Sequence, residues 1–339
     1  MRRVEVVDPA LQVALARGTP SPRLVVLIPG WKSSGSVAQR SRVTENGFLT
    51  NAGNRMETVD FQPERGRRWV PTPFVWASIF FHIGIAVAFV VWPSEWRWLI
   101  GALLTNHLLI GCFGMRPRST LLGPNITRVP PRCRGGTGIV LTFDDGPDPE
   151  VTPQVLALLD QYHAKASFFC IGERAAAFPH IVAEIVRHGH SVENHSNGHP
   201  IGFACYSIGA LRREIDRAQV TLTRIAGTAP AFFRAPFGIR SPLLAPALVV
   251  IPLCYVSWTR RGYDRASRCP EAILRRLTRG LAAGDILVLH DRAASRTAAG
   301  RPVVLDLLPP LLQHIEAAGL RVLSLPLAMA HHSAIEERA

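Results

Sequence analysis

The stretch Leu141–Pro147, LTFDDGP, turns an apolar run into two adjacent carboxylates and a Gly-Pro turn. Side chains alternate faces along a strand, so Asp144 and Asp145 diverge for as long as the strand lasts. A turn at the strand's end brings both into one cleft, where two negative charges are costly without a cation. One carboxylate that binds a metal and a neighbour that handles protons would account for the pair. A helix N-cap with a turn would also account for it, since Asp and Gly-Pro punctuate many loops.

Further along, residues 194–199 read NHSNGH. His195 and His199 stand four positions apart, the spacing that sets two imidazoles on one face of a helical turn. Two neutral imidazoles and one carboxylate are a common ligand set for a catalytic Zn²⁺ that keeps a position open for water. Such a pair is weak by itself, because histidines also serve as buried hydrogen-bonders. Three more groups fall in matching places. Arg234 closes AFFR before Ala-Pro-Phe-Gly, His290 closes DILVLH, and Asp264 lies just past LCYVSW. Each ends or follows a short apolar run of strand character.

These runs alternate with helix-like segments. Strand character at 138–143, 166–171, 231–234, 253–258, 285–290 and 321–325 is interleaved with helical spacing at 151–161, 181–186, 208–225, 271–281 and 303–317. Repeated β-then-α units imply a parallel sheet covered by helices. Polar groups at the C-terminal ends of many strands imply a curled sheet with its site at that mouth. The expected fold is α/β, a distorted or incomplete (β/α) barrel.

Residues 138–327 resemble the polysaccharide deacetylase family, also called NodB-homology or carbohydrate esterase family 4. The resemblance rests on TFDDGP, NHSNGH, RAPFG, WTRRGYD and LVLHD, in that order. It implies a metal-dependent hydrolase that removes acyl groups from amino sugars or from O-acetylated sugars. Asp145, His195 and His199 would hold one divalent ion, Zn²⁺ first, with Co²⁺, Ni²⁺ and Fe²⁺ accepting the same donors. Asp144 would be the general base and Arg234 would keep it ionised. The backbone N–H of Phe237, after Pro236, would help hold the oxyanion. His290 would be the general acid, with Asp264 raising its pKa. Leu287 and Leu289, alternating with an outward Val288, would line the pocket for the acyl methyl. Two departures bear on this. Phe237 stands where many relatives have Tyr, and Thr259 and Arg260 stand where an acidic residue is often found, which leaves Asp264 as the loosest match.

The amino-terminal third is different. Residues 74–92 carry no charged group, and residues 96–115 form a second apolar run with Arg97, Asn106 and His107 in it. About 20 apolar residues span a bilayer, and Trp69, Trp76, Trp92, Trp96 and Trp98 cluster near the ends, where aromatic rings favour the headgroup zone. The expected arrangement is a transmembrane helical hairpin at 74–115; two buried helices of a soluble domain are the alternative. Arg65, Arg67 and Arg68 before it, with Arg116, Arg118, Arg128, Arg132 and Arg134 after it, place both flanks in the cytoplasm by charge bias. The catalytic domain would then face a lipid-linked sugar at the inner leaflet of a bacterial-type cell membrane. If the second run only lies on the membrane, the domain would face the periplasm.

The remaining boundaries follow: residues 1–55 as a disordered arm or mis-assigned start, 56–73 as a basic juxtamembrane segment, 116–137 as a basic linker and 328–339 as a tail. The net charge of +13 is ascribed to anionic headgroups or a substrate phosphate rather than to nucleic acid, because basic residues concentrate beside the spans. Arg260, Arg261, Arg265 and Arg268 cluster near the expected site, as a solvated loop or a phosphate dock. The six cysteines show no paired spacing. A facial-triad iron oxygenase and a non-catalytic sugar-binding relative are the competing functions. The presence of both Asp144 and His290 as proton handlers argues against the first.

Overall fold

The computed structural model describes residues 68–129 and 137–329. Expectations for residues 1–67, 130–136 and 330–339 lie outside the described residues. The chain divides between Arg55 and Met56 into two units, and every described residue belongs to the second. Its elements are α1 (Pro73–Val91), α2 (Trp96–Gly114), β1 (Gly138–Asp144), α3 (Thr152–Gln161), β2 (Ser167–Cys170), α4 (Gly172–Ala177), α5 (Pro179–Arg187) and β3 (Ser191–Asn194). There follow α6 (Ile208–Ala226), β4 (Phe232–Phe233), α7 (Leu244–Val250), β5 (Cys254–Tyr255), β6 (Arg260–Arg261), α8 (Pro270–Thr278), β7 (Ile286–His290), α9 (Val303–Ala317) and β8 (Arg321–Leu323).

The strands lie in the order β5-β4-β3-β2-β1-β7-β6, with parallel pairing throughout. Strand β1 is central. Its residues 140–144 pair with β7 on one edge, while β8 pairs with 138–140 and β2 with 142–144 on the other. The end strands β5 and β6 are close in sequence, yet no pairing between them is recorded among the described residues, so the curled sheet stays open.

Period-2 alternation divides β1 between two apolar clusters. Ile139, Leu141 and Phe143 join the cluster that faces the helices, with Val155, Leu159, Val304 and Leu308. Val140 joins Phe169, Val256, Trp258, Ile286 and Val288 on the concave side. Thr142 and Asp144 share the parity of Val140, which aims the last carboxylate of the strand into the curl. Helix α6 shows how local chemistry fixes boundaries: the Ser207 hydroxyl accepts the Ala210 N–H at its start, and Gly227 ends it at φ 72°.

The hairpin is antiparallel. Phe74 meets Phe113 with ring centroids 5.2 Å apart, Asn106 Nδ2 donates to Ser78 Oγ at 2.9 Å, and the His82 and His107 rings lie 5.1 Å apart. Among the described residues only α1, with mean hydropathy 2.3, is long and apolar enough to cross a membrane. Helix α2 has the same length but carries Arg97, Asn106 and His107. Its C-terminus is tied to the barrel, because Arg240 N donates to Gly114 O at 3.2 Å.

Candidate active site

Asp145 leaves β1 with φ 72°, and that reversal swings its carboxylate into the same cleft as Asp144. The turn is braced from beneath: Asp148 N donates to Thr152 Oγ1 at 2.7 Å, and that hydroxyl donates to buried Asp291 at 2.6 Å. A Cβ at Gly146 would collide with the Asp291 carboxylate, so the backbone approach requires glycine.

His195 and His199 reach Asp145 from the loop after β3. Their Nε2 atoms lie 3.3 and 3.2 Å from Asp145 Oδ1. The expected helical turn is absent. Ser196 and His199 both have positive φ, Asn194 Oδ1 accepts the Ser196 N–H, and Ser196 Oγ accepts the His199 N–H. Side-chain acceptors replace the helical ladder there, and the four-residue spacing converges for a different geometric reason.

These three side chains fit a metal by several independent features. Their ligand atoms lie within 4.8 Å of one another. His195 Nδ1 is 2.9 Å from the Arg234 carbonyl, which as donor there leaves Nε2 with a free lone pair. His199 Nε2 is buried without a hydrogen-bond partner. Burial and the neighbouring His195 push the His199 pKa down to about 4, so the ring is neutral, as a ligand must be. Burial works to raise the Asp145 pKa, but the histidines beside it hold it well below the usual carboxylate range.

Asp144 lies against Arg234, with Oδ1 accepting from Nη1 at 2.6 Å. The guanidinium is fully buried and also donates to Thr142 Oγ1, Val256 O and Ser257 O. Its flat face lies 4.1 Å from the Phe169 ring centroid. Across the cleft, His290 Nδ1 is 2.9 Å from Asp264 Oδ1. Burial alone would lower the His290 pKa, yet Asp264 and the site carboxylates raise it overall. The long step from LCYVSW to Asp264 is spanned by β6 and a turn at Tyr263, φ 58°.

The cleft is lined by Asp144, Asp145, His195, His199, Phe237, Gly238, Trp258, Arg261, Arg265, Val288 and His290. Leu287 and Leu289 are not part of it. They are buried in the helix-facing cluster, and Val288 occupies the cleft wall. His290 faces inward, so period-2 alternation carries Val288 inward and both leucines outward. Pro236 is buried at the base of a short turn, and Phe237, at φ 59°, lays its ring 4.7 Å from that of His199. Sequence reasoning missed Trp258, Gly238 and the inward face of Val288, and it set Arg265 near the site without its contact to Asp145. Trp258 ends LCYVSW at the parity of Val256, a readable signal. Arg265 donates to Asp145 Oδ2 at 2.8 Å, which nothing in its loop announces.

The polysaccharide deacetylase profile matches residues 132–249. The chitooligosaccharide deacetylase of Sinorhizobium fredii is 32% identical over 206 residues, covering 57% of this chain and 94% of that protein. The chain belongs to the polysaccharide deacetylase family. It is a hydrolase of the deacetylase type, the class that opens carbon–nitrogen bonds other than peptide bonds. A peptidoglycan-N-acetylglucosamine deacetylase of Bacillus cereus is 30% identical over 188 residues; the chain spans 66% of its length, just under two thirds. A solved peptidoglycan N-acetylglucosamine deacetylase shares the deacetylase fold with a TM-score of 0.54 at 30% identity, covering 60% of this chain and 92% of that one.

Proposed function

We propose that this protein is a metal-dependent deacylase that removes an acetyl or formyl group from an amino sugar of a glycan or lipid-linked saccharide. The observation that carries the reading is the convergence of Asp145, His195 and His199 on one point, with Asp144 beside them and His290 across the cleft. The related proteins named as chitooligosaccharide and peptidoglycan deacetylases support the substrate class.

Asp145, His195 and His199 would hold one divalent ion, Zn²⁺ by preference. When bound, the ion supplies an acidified water and polarises the acyl oxygen. Asp144 takes the proton from the attacking water, and Arg234 keeps that carboxylate aimed. The Phe237 N–H faces the oxygen on which charge develops. His290 gives its proton to the departing amine, and Asp264 holds the imidazole charged and oriented until it does. Arg265 holds the second oxygen of Asp145, leaving Oδ1 to face the two histidines.

The hairpin anchors the enzyme in a bacterial-type inner membrane, with α1 and α2 crossing as a pair so that both basic flanks return to the cytoplasmic leaflet. On that side the acyl donor is a lipid-linked sugar. Acetate and formate release from N-acylated sugars by the zinc-loaded protein, with an O-acetyl ester in a parallel arm, tests the activity. Turnover of the amide with loss on Asp144→Asn supports the reading. Hydrolysis of the ester alone reassigns the enzyme as an esterase, and no release from either substrate refutes catalysis.

A further inference from the structure

Strand β6 divides the arginine cluster by parity. Arg260 points away from the cleft: its guanidinium donates to Asp285 Oδ2 at 2.6 Å and to the carbonyls of Arg279 and Gly280 at the end of α8. Gly262 lies on the same side, where a Cβ would press on Ile273 and Leu289. Arg261, between them, lines the cleft. Its register partner on β7 is Val288, itself a cleft residue.

Arg261 is held by rings. Its guanidinium carbon lies 5.2 Å from the Trp258 ring centroid and 5.3 Å from that of Tyr263. Among the described residues no carboxylate pairs with it, although the other arginine of the lining, Arg265, is paired with Asp145, and Arg234, fully buried behind the lining, with Asp144. Aromatic faces fix a guanidinium in place without using its N–H groups. The lining thus carries two guanidiniums, Arg261 and Arg265, beside the two carboxylates Asp144 and Asp145, and each of those carboxylates already has an arginine partner of its own. A fixed planar fork with unspent donors, in a cleft whose carboxylates are already paired, is the recognition element for an oxyanion.

We infer that Arg261 is a specificity-determining residue that binds an oxyanion, a carboxylate or phosphate carried by the acylated sugar. This rests on the proposed deacylase reading and narrows its substrate to anionic amino sugars. Tyr263, more than half exposed beside it, offers a face for the sugar ring that bears the charge.

The test is kcat/KM for acetate release by the full-length zinc-loaded protein from three substrates: an N-acetylglucosamine oligomer, an N-acetylmuramic acid saccharide and N-acetylglucosamine 1-phosphate. At least one anionic substrate is expected to exceed the neutral oligomer by about tenfold or more, mainly through KM. Arg261→Gln collapses that ratio, and which anionic arm wins distinguishes carboxylate from phosphate. A neutral oligomer turned over as well as either anion overturns the inference, as does a variant that slows all three equally. If nothing is hydrolysed, the deacylase reading fails on its own. Calorimetric affinities of the same three compounds for wild type and Arg261→Gln then decide this one, equal values refuting it.

Discussion

Asp264 grips His290 at two points: its Oδ1 lies 2.9 Å from the ring Nδ1, and its Oδ2 accepts the His290 backbone N–H at 2.8 Å. A bidentate hold of this kind fixes both the ring orientation and the nitrogen that carries the proton. Because the pairing raises the His290 pKa above its ordinary 6.5, the imidazole stays charged further into the neutral range. The rate of acyl release is expected to fall on the alkaline side as His290 loses that proton. Asp264→Asn shifts this limb to lower pH, and a pH profile of kcat measures the shift. The stability linkage has the same sign. The pairing contributes fully below the unfolded value and is lost as pH rises through the folded one.

Asp144→Asn removes a proton acceptor without removing a metal ligand. Turnover is expected to drop by about 10²–10⁴-fold while bound metal, measured by mass spectrometry, stays near wild type. Normal turnover in this variant would show that the proton leaves by another route.

Arg234 is buried among four acceptors and two aromatic rings, and it is the partner of a buried carboxylate. Arg234→Met is expected to destabilise the fold by roughly 3–5 kcal/mol, the cost of breaking one side of a buried pair. Thr142→Val, which takes away one of those acceptors and the hydroxyl's own donation to Leu287 O, costs about 1–3 kcal/mol. Chemical denaturation of the two variants distinguishes these magnitudes.

The Arg116 and Arg118 side of α2 is expected in the cytoplasm. A reporter fused after Ala339 then fluoresces as a green fluorescent protein fusion and is inactive as an alkaline phosphatase fusion. The opposite pattern moves the catalytic unit to the periplasm and its substrate to an exported glycan.

Much of this site was legible from residue order. The apolar runs mark β1, β2 and β7 within a residue or two, because each is buried on both faces and carries little polar interruption, whereas β3, SVEN, has only Val192 as an apolar residue and carries no such signal. Asp144 and Asp145 read as a pair because a turn must follow the strand. Other parts were hidden for identifiable reasons. Strand β6 is two arginines long and has no apolar pattern. Helix α7 is a short apolar run, ALVV, indistinguishable by periodicity from a strand. Leu287 and Leu289 face the helices because the inward His290 sets the parity of its strand, which turns Val288 and not the leucines into the cleft. The Arg265 contact with Asp145 spans 120 residues and depends on a loop whose path no local signal encodes.

Zinc-edge anomalous diffraction from crystals soaked in Zn²⁺ tests the central claim most directly. A single peak bounded by Asp145, His195 and His199, with Asp144 outside its coordination sphere, is the predicted result. A peak elsewhere, or none while those three side chains keep their positions, would contradict it.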